Sequence, residues 1–471
     1  MLTGTERFYA GCLANSGMWV VPRVIRKRQS LVPVNLTGRG IFCFILKQEI
    51  HRRGDMLMAF QKPTGTQDLL PGNVERWQVV EEKAREISRR FNYREIRTPM
   101  FEQTNLFVRG VGETTDVVEK EMYTFEDKGK RSMTLRPEGT AGVVRSYVEN
   151  KLYGEPDVTK LYYIGPMFRY ERPQAGRQRQ FHQFGIEALG AVDPALDAEV
   201  IAFGYQFCRE LGLKGVKVEI NSVGNAASRA AYRQHLVDFL LPIKDTLTKE
   251  SQARIERNPL RVLDSKDDQD KFGGAPSILD SLDEESSTHF EKVKQSLDAM
   301  GVEYTVNPRL VRGLDYYTLT AFEFKAEGIG AIDTIGGGGR YNGLVGDLGG
   351  PDQPGIGFGI GLERIQLILE HQGVELNEAK PLDVYMVALG EAAETEVTRQ
   401  LFKLRQAGFS AERDYLGRKM KAQMKSADRF KARYTAILGE DELVRGEIAL
   451  KNMETGEQRT VKLDQLVEEL G

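Results

Sequence analysis

The sequence predicts a multi-domain α+β chain: a strand-and-helix body, a helical insertion within it, and a small α/β domain at its end. Three observations carry this. With 471 residues, 41% apolar and 28% charged, the chain is long enough for two or three domains with cores of their own. Strand-like segments recur on both sides of a polar, helix-rich and loop-broken stretch at 225–300. After Ala379-Lys-Pro381 the pattern alternates β-α-β-α-β, which suggests a partly parallel sheet. A net charge of −3 gives no global nucleic-acid signal, so any such binding must rest on a local patch. Cys12, Cys43 and Cys208 are too scattered for a disulfide framework or a metal cluster. Ile41 to Leu46, a pure apolar run that no other run in the sequence exceeds, cannot span a bilayer. A reducing, soluble compartment is the expectation.

Residues 1–57 stand apart, with nine Lys/Arg against three Asp/Glu and no sustained periodicity. Three readings compete: a start site placed too far upstream, a targeting segment, or a basic arm that touches nucleic acid. An extension that is disordered or non-native is preferred, because a clean amphipathic helix is missing. Beyond Pro71-Gly72, apolar residues at Val74, Trp77, Val80, Ala84, Ile87 and Phe91 predict a helix. Tyr93 to Phe101 reads as an edge or interface strand, since it carries Pro99. A hairpin is expected across Lys128-Gly129, then a helix from Ala141 to about Lys151. Ala195 to Leu211 reads as a helix capped by Gly212, and Val216 to Ile220 as a strand. Strands return at Tyr304 to Leu310 and Tyr317 to Lys325, followed by a glycine-rich hairpin near 336–339. In the last domain, strands are expected at Asp383 to Leu389, Ser410 to Asp414 and Thr435 to Leu438.

Two stretches carry chemistry. Gly165 to Glu187 holds Arg169, Arg172, Arg177 and Arg179 around a Pro173/Gly176 turn, between two strand-like segments. Guanidinium forks on a turn suit a polyphosphate, because arginine stays charged and binds oxyanions in a bidentate way. On this stretch alone an exposed, salt-bridged hairpin is equally open. The second is Gly355 to Arg364. Glycine at 355, 357, 359 and 361 falls on one face of a strand, and Ile356, Phe358 and Ile360 on the other. A face without side chains admits close approach by a flat ring, and Arg364 follows in the first turn of a helix, where anions bind. A third, weaker signal is a basic stripe: Arg418, Lys421, Lys425 and Arg429 at i, i+3, i+7 and i+11 on one helix face. A solvated surface helix is its bland alternative.

Together these motifs resemble the histidyl-tRNA synthetases of bacterial type, which are class II aminoacyl-tRNA synthetases. The helix from 74 and the strand to Pro99 resemble motif 1, Phe168-Arg-Tyr-Glu171 with its loop motif 2, and Gly357 to Arg364 motif 3. Arg312-Gly-Leu-Asp-Tyr-Tyr-Thr318 and Gly337-Gly-Gly-Arg-Tyr-Asn-Gly-Leu344 resemble signatures of the histidine family in particular. The resemblance runs from about Lys62 to the C-terminus. It implies a class II catalytic domain, an antiparallel sheet flanked by helices, in two parts at 58–224 and 301–379. A helical insertion at 225–300 and a C-terminal α/β anticodon-binding domain at 380–471 complete it.

The implied reaction has two steps: histidine and ATP give histidyl-adenylate and pyrophosphate, and histidine then passes to the 3′ end of tRNA(His), releasing AMP. A carboxylate nucleophile is already ionised, so the first step asks for positioning and charge stabilisation rather than a side-chain base. By resemblance, Arg169, Arg177, Arg312 and Arg364 bind ATP, with Arg169 and Arg312 catalytic at the α-phosphate. Glu138, Gly139, Thr140, Gln183, Glu187, Tyr316 and Tyr317 form the histidine site. Glu138 and Thr140 match ligands of the α-amino group, Glu187 and Tyr317 ligands of the imidazole. Mg²⁺ accompanies the β- and γ-phosphates, with no protein ligands assigned. A homodimer through motif 1, a cytoplasmic location and tRNA contact through the basic helix and the insertion are also implied. Arg172 and Arg179 have no assigned role. The competing reading is a catalytically silent paralogue that serves as regulatory subunit of ATP phosphoribosyltransferase. Retention of Arg169, Arg312 and Arg364, and of the basic C-terminal domain, speaks against it. Deletion of residues 1–57 is expected to leave aminoacylation intact; a large loss of tRNA affinity would identify a functional basic arm instead.

Overall fold

The computed structural model describes residues 60–471, apart from 114, 258, 312, 330–331 and 377–380. The segment 1–57 therefore lies outside the described residues. Eight strands form the main sheet. One half runs β1 (Arg94–Glu95), β5 (Thr159–Phe168), β6 (Gln180–Leu189) and β11 (Gly355–Gly361). The other continues with β10 (Ile332–Arg340), β9 (Thr318–Ile329), β7 (Lys217–Ser222) and β8 (Tyr304–Val306). The six inner strands are antiparallel and each edge strand pairs in parallel.

Period-2 alternation divides the sheet into two faces. Tyr162, Phe184, Ile186, Ile356, Phe358 and Ile360 enter the main core. Helices α1 (Val74–Arg90), α4 (Pro194–Glu210), α7 (Glu284–Met300) and α8 (Leu362–His371) cover that side. Helices α2 (Thr104–Val111), α3 (Thr140–Glu149), α5 (Ala226–Leu240) and α6 (Lys249–Arg257) lie elsewhere. In α1, Trp77, Val80, Ala84 and Ile87 are buried at helical spacing, as the sequence predicts, each worth about 1.5–3 kcal/mol for the larger side chains. The opposite face of the sheet carries Tyr163, Gly165, Gln183, Gly185 and Glu187, in register with Gly359, Gly357 and Gly361. That face holds the site.

Several expectations change. The strand expected over Tyr93 to Phe101 is two strands: β1 in the main sheet, and β2 (Phe101–Gln103) in a separate small sheet with β3 (Tyr123–Glu126) and β4 (Ser132–Leu135). Pro99 lies between them and has no N–H for a ladder. Gly336 to Gly339 lie inside β10, paired on both sides, rather than in a hairpin turn. The insertion has its own core, with Tyr232, Leu236, Leu240, Leu247, Ile255 and Phe272. Helix α7, placed in the insertion by sequence, buries Phe290, Val293 and Leu297 in the main core instead. A polar composition hid an apolar stripe.

The last domain is a five-stranded sheet in the order β13 (Ala411–Arg413), β12 (Val384–Leu389), β14 (Tyr434–Gly439), β15 (Glu447–Asn452) and β16 (Gln458–Lys462). The first three strands are parallel. The antiparallel β15–β16 hairpin extends the expected β-α-β-α-β pattern. Strand β12 is buried on both faces, Val384 and Met386 against one cluster and Tyr385 and Val387 against another, which explains its continuous apolar run. Helix α9 (Glu391–Gln406) supplies the first cluster through Val397 and Leu401, and α10 (Met420–Arg429) the second through Ala427.

One buried ion pair ties the body together. Asp197 of α4 and Arg340 of β10 are both fully buried. Arg340 Nε donates to Asp197 Oδ1 at 3.0 Å, and Thr320 Oγ1 and His289 Nε2 reach Asp197 Oδ2 at 2.6 and 2.8 Å. Arg340 Nη1 also donates to the Ala191 carbonyl at 2.8 Å. Removing one partner leaves an uncompensated buried charge. Asp197→Ala is accordingly expected to lower the unfolding free energy by about 3–5 kcal/mol, measured by denaturant titration.

Candidate active site

Strand β11 shapes the site through what its glycines admit. A Cβ at Gly357 would lie 2.0 Å from Glu187 Oε2, and one at Gly355 2.2 Å from Tyr341 Cε2. Half of the bare face is thus filled by the protein's own side chains. Gly359 and Gly361 instead line an open cleft of about 340 Å³. The sequence predicts room for a ligand along the whole strand, and the structure confines that room to its C-terminal half.

At the closed end lies an acidic pocket. The Glu138 carboxylate accepts the backbone N–H of Thr140 at 2.7 Å and of Ala141 at 2.8 Å, at the first turn of α3. Glu187 is buried near the C-terminal end of β6 and accepts Thr140 Oγ1 at 2.7 Å and Tyr341 OH at 2.5 Å. Tyr163 OH lies 3.4 Å from Glu187 Oε1, its ring lodged where a Cβ on Gly139 or Gly185 would collide with it. Burial is the first cause that raises both carboxylates: Glu138 rises from its ordinary value despite its backbone donors, and Glu187 is raised to about 8. The charge of Glu138 raises Glu187 further. Tyr316 and Tyr317 pack with ring centroids 4.6 Å apart, and Tyr316 lies 5.7 Å from Tyr341. Gln183 Oε1 is buried with no hydrogen-bond partner among the described residues. Two buried carboxylates, an orphaned amide oxygen and tyrosine hydroxyls make a pocket for a cationic, hydrogen-bonding ligand.

At the open end lies a cationic cleft. The hairpin β5–β6 closes through Gln174 and Arg177, whose backbones pair with each other, and Gly176 has φ +69°. Arg169, Arg177 and Arg364 line this cleft with Glu171, Phe181 and Glu323. Arg169 Nε donates to the Pro137 carbonyl at 2.8 Å, and its charge steadies Glu138, so it stands at the junction of pocket and cleft. Arg364 Nη1 donates to the Thr334 carbonyl at 2.8 Å. Burial, then the charges of Arg177 and Arg169, push its guanidinium below the ordinary value. Glu171 moderates the cluster at 3.8 Å from Arg169 and 3.7 Å from Arg177. The three guanidinium groups converge beside the carboxylates of Glu171, Glu323 and Glu363, and an anion that joins the guanidinium groups is stabilised by all three.

Neighbouring residues brace this arrangement. The backbone N–H of His182 donates to Glu363 at 2.9 Å, and its ring meets Trp77 edge-on at 5.1 Å, so the first helix, the hairpin and α8 share one joint. Arg179, unassigned by sequence, stacks 3.9 Å over Tyr170 and donates to the Glu171 carbonyl at 3.2 Å, which makes it a brace of the loop. Arg172 is exposed. Arg312 lies outside the described residues. Sequence reasoning missed Tyr163, Tyr341, Phe181 and Glu171 as site residues. Tyr341 stands in a motif it singled out, but the contact with Glu187 spans 154 positions and no local pattern signals it.

In the last domain Lys421, Lys425 and Arg429 are exposed along α10. Arg418 is not on that helix. Asp414 accepts the backbone N–H of Leu416 and Arg418 at 3.1 and 2.8 Å and also pairs with the Arg418 side chain, so the chain turns before α10 begins. That turn presents Tyr415 and Leu416, 67% and 75% exposed.

A sheet of six antiparallel strands with parallel edges, carrying a cationic cleft between its central hairpin and the helix after a glycine strand, defines a class II aminoacyl-tRNA synthetase. A family model described as Histidyl-tRNA synthetase matches residues 65–365, and one described as Anticodon binding domain matches 383–471. The chain is 58% identical over 412 residues to a Histidine--tRNA ligase of Bacillus cytotoxicus, covering 86% of this chain and 97% of that protein. A Histidine--tRNA ligase of Geobacillus sp. is 57% identical over 418 residues, 88% and 99% of the two chains. The solved apo histidyl-tRNA synthetase of S. aureus superposes with a TM-score of 0.76 at 46% identity, covering 88% of this chain and 100% of that one. This chain belongs to the histidyl-tRNA synthetase family.

The raised Glu187 gives a signature in the unliganded protein. Its ordinary value is 4.5 and its folded value about 8, so between these the unfolded chain has lost the proton and the folded one retains it. Stability from this group is fully present below the lower value and is lost as pH rises toward the upper. Glu187→Gln is expected to flatten that fall when unfolding is measured against pH beside the wild type.

Proposed function

We propose that the chain is a histidine–tRNA ligase: it activates L-histidine with ATP and transfers it to the 3′ end of tRNA(His). The observation that carries this is the bipolar site, a buried acidic pocket joined through Arg169 to a cleft lined by three arginines. The α-ammonium group of histidine sits against Glu138, Thr140 and the free Gln183 oxygen, and its imidazole against Glu187 and Tyr317 beside Tyr316. Such a set holds both ring nitrogens, and it rejects analogues that lack them by roughly 10⁴-fold, so no editing step is needed. Gly139 contributes by leaving space for Tyr163.

ATP lies in the cleft with its phosphates on Arg169, Arg177 and Arg312 and its adenine between Arg364 and Phe181, which suit a flat ring by stacking. The histidine carboxylate attacks the α-phosphorus, pyrophosphate leaves, and the guanidinium charges meet the negative charge that develops. The terminal ribose hydroxyl of tRNA then attacks the activated carbonyl and AMP leaves. Among the described residues there is no cluster of three or more acidic, His or Cys side chains for a metal. Glu171 and Glu323 are the cleft carboxylates that would hold Mg²⁺, which would supply charge neutralisation to the phosphates.

The tRNA contacts Lys421, Lys425, Arg429 and Arg418 in the last domain, and its acceptor stem approaches the insertion. The patch around Met100 and Phe101, 52% and 53% exposed, fits the motif 1 interface of a homodimer. No helix among the described residues is long and apolar enough to cross a membrane. Histidine-dependent ATP–pyrophosphate exchange tests the reading, and its absence from an intact folded dimer would favour the silent-paralogue alternative. Arg364→Ala is expected to lower kcat/KM for exchange by about 10²-fold or more, the cost of one lost fixed charge at the transition state. Arg312→Ala is expected to abolish adenylate formation while histidine binding largely survives.

A further inference from the structure

The insertion joins the catalytic body at the place where the histidine-pocket tyrosines leave it. Val223 N–H donates to the Leu319 carbonyl at 2.7 Å, and Leu319 N–H donates to the Gly224 carbonyl at 2.9 Å. Leu319 has φ +51°, the left-handed region that a bulky side chain adopts only when its surroundings hold it there. Two residues earlier, the Tyr317 carbonyl accepts Arg229 Nη1 at 3.0 Å from the first turns of α5. Arg229 is half-buried and faces the charge of Asp315. The Tyr317 ring in turn lies where a Cβ on Gly339 would be 2.7 Å from it.

The root of the insertion is itself fixed. Asn225 caps α5 by accepting Ser228 N–H at 3.0 Å and donates to Asp283 at 2.6 Å, which ties the entry of the insertion to its exit. Farther out, Arg254 of α6 lies 3.6 Å from Asp116, beside the short π-helix Val117–Glu121. The insertion therefore touches the segments on two sides of the site without lining the acidic pocket.

We propose that Arg229 is a positioning residue for histidine: from the insertion it holds the Tyr317 carbonyl, and with the two Leu319 hydrogen bonds it seats the tyrosine pair against Gly339. This rests on the reading of Tyr317 as a histidine ligand. A charge-assisted hydrogen bond to a shielded carbonyl is strong enough to set that conformation, and its loss lets the strained Leu319 relax. Any displacement of the insertion then reaches the histidine pocket through this joint, and histidine binding must bias the insertion in return.

The test uses the full chain. Histidine affinity is measured by calorimetry and the exchange reaction by steady-state kinetics, for wild type, Arg229→Ala and Arg229→Lys. Arg229→Ala is expected to weaken histidine binding and raise its KM by roughly ten-fold, with kcat and the KM for ATP unchanged. Arg229→Lys is expected to restore most of the loss, because an ammonium group can also donate to the carbonyl. Unchanged histidine affinity in Arg229→Ala overturns the proposal, as does an equal loss for both substrates accompanied by a lowered Tm. If the alanine variant does not fold, Arg229→Met, which keeps the length of the side chain and removes the donor, is measured by the same criteria. Wild-type protein that binds histidine but shows no exchange would sink the ligase reading alone, since calorimetry still scores Arg229.

Discussion

The bare face of β11 is the constraint on which the site depends. A buried carboxylate at Glu187 needs donors around it and no side chain in front of it, and Gly357 leaves that space. The same strand at Gly359 and Gly361 leaves the cleft open for a larger ligand. Because the opposite edge of the strand carries Ile356, Phe358 and Ile360 into the main core, the glycine face cannot drift. The packed face holds the strand in register, while the glycine face admits Glu187 and Tyr341 at one end and leaves the cleft open at the other.

Charge is sorted along that face. Glu138 and Glu187 share the closed end, where burial raises both, and the arginines converge at the open end, where Arg364 is lowered by burial and by its like-charged neighbours. Neither arrangement is comfortable without a ligand. In the proposed reading a cationic amino acid at one end and a polyphosphate at the other relieve both, with Arg169 at the junction between them. That reading asks for no side-chain base, since a carboxylate nucleophile is already ionised.

The supports of this arrangement come from distant parts of the chain. Glu363 of α8 receives His182, which meets Trp77 of α1. The fully buried Asp197–Arg340 pair anchors β10 just before Tyr341, whose hydroxyl reaches Glu187. Desolvation offsets most of the attraction within such a pair, so the cost of removing one partner comes mainly from the buried charge left behind. The insertion adds its own hold through Arg229 and the Leu319 joint.

Much was legible in the sequence because it rests on local periodicity. The α1 stripe, the glycine alternation at 355–361, the arginine hairpin and the β-α-β alternation after 381 follow directly from the spacing of apolar and glycine residues. The family resemblance, carried by motifs in order, added what the residues should bind. Local pattern failed where a proline split one strand between two sheets, where glycines lay within a strand instead of a turn, and where Asp414 drew Arg418 off the basic helix. It failed too for Tyr163 and Tyr341, which meet Glu187 only through strand register and long-range packing. The sequence by itself determined which elements form and which residue types are available for chemistry. Only the tertiary structure decided which of them meet, because register and burial are properties of pairs of segments far apart in the chain.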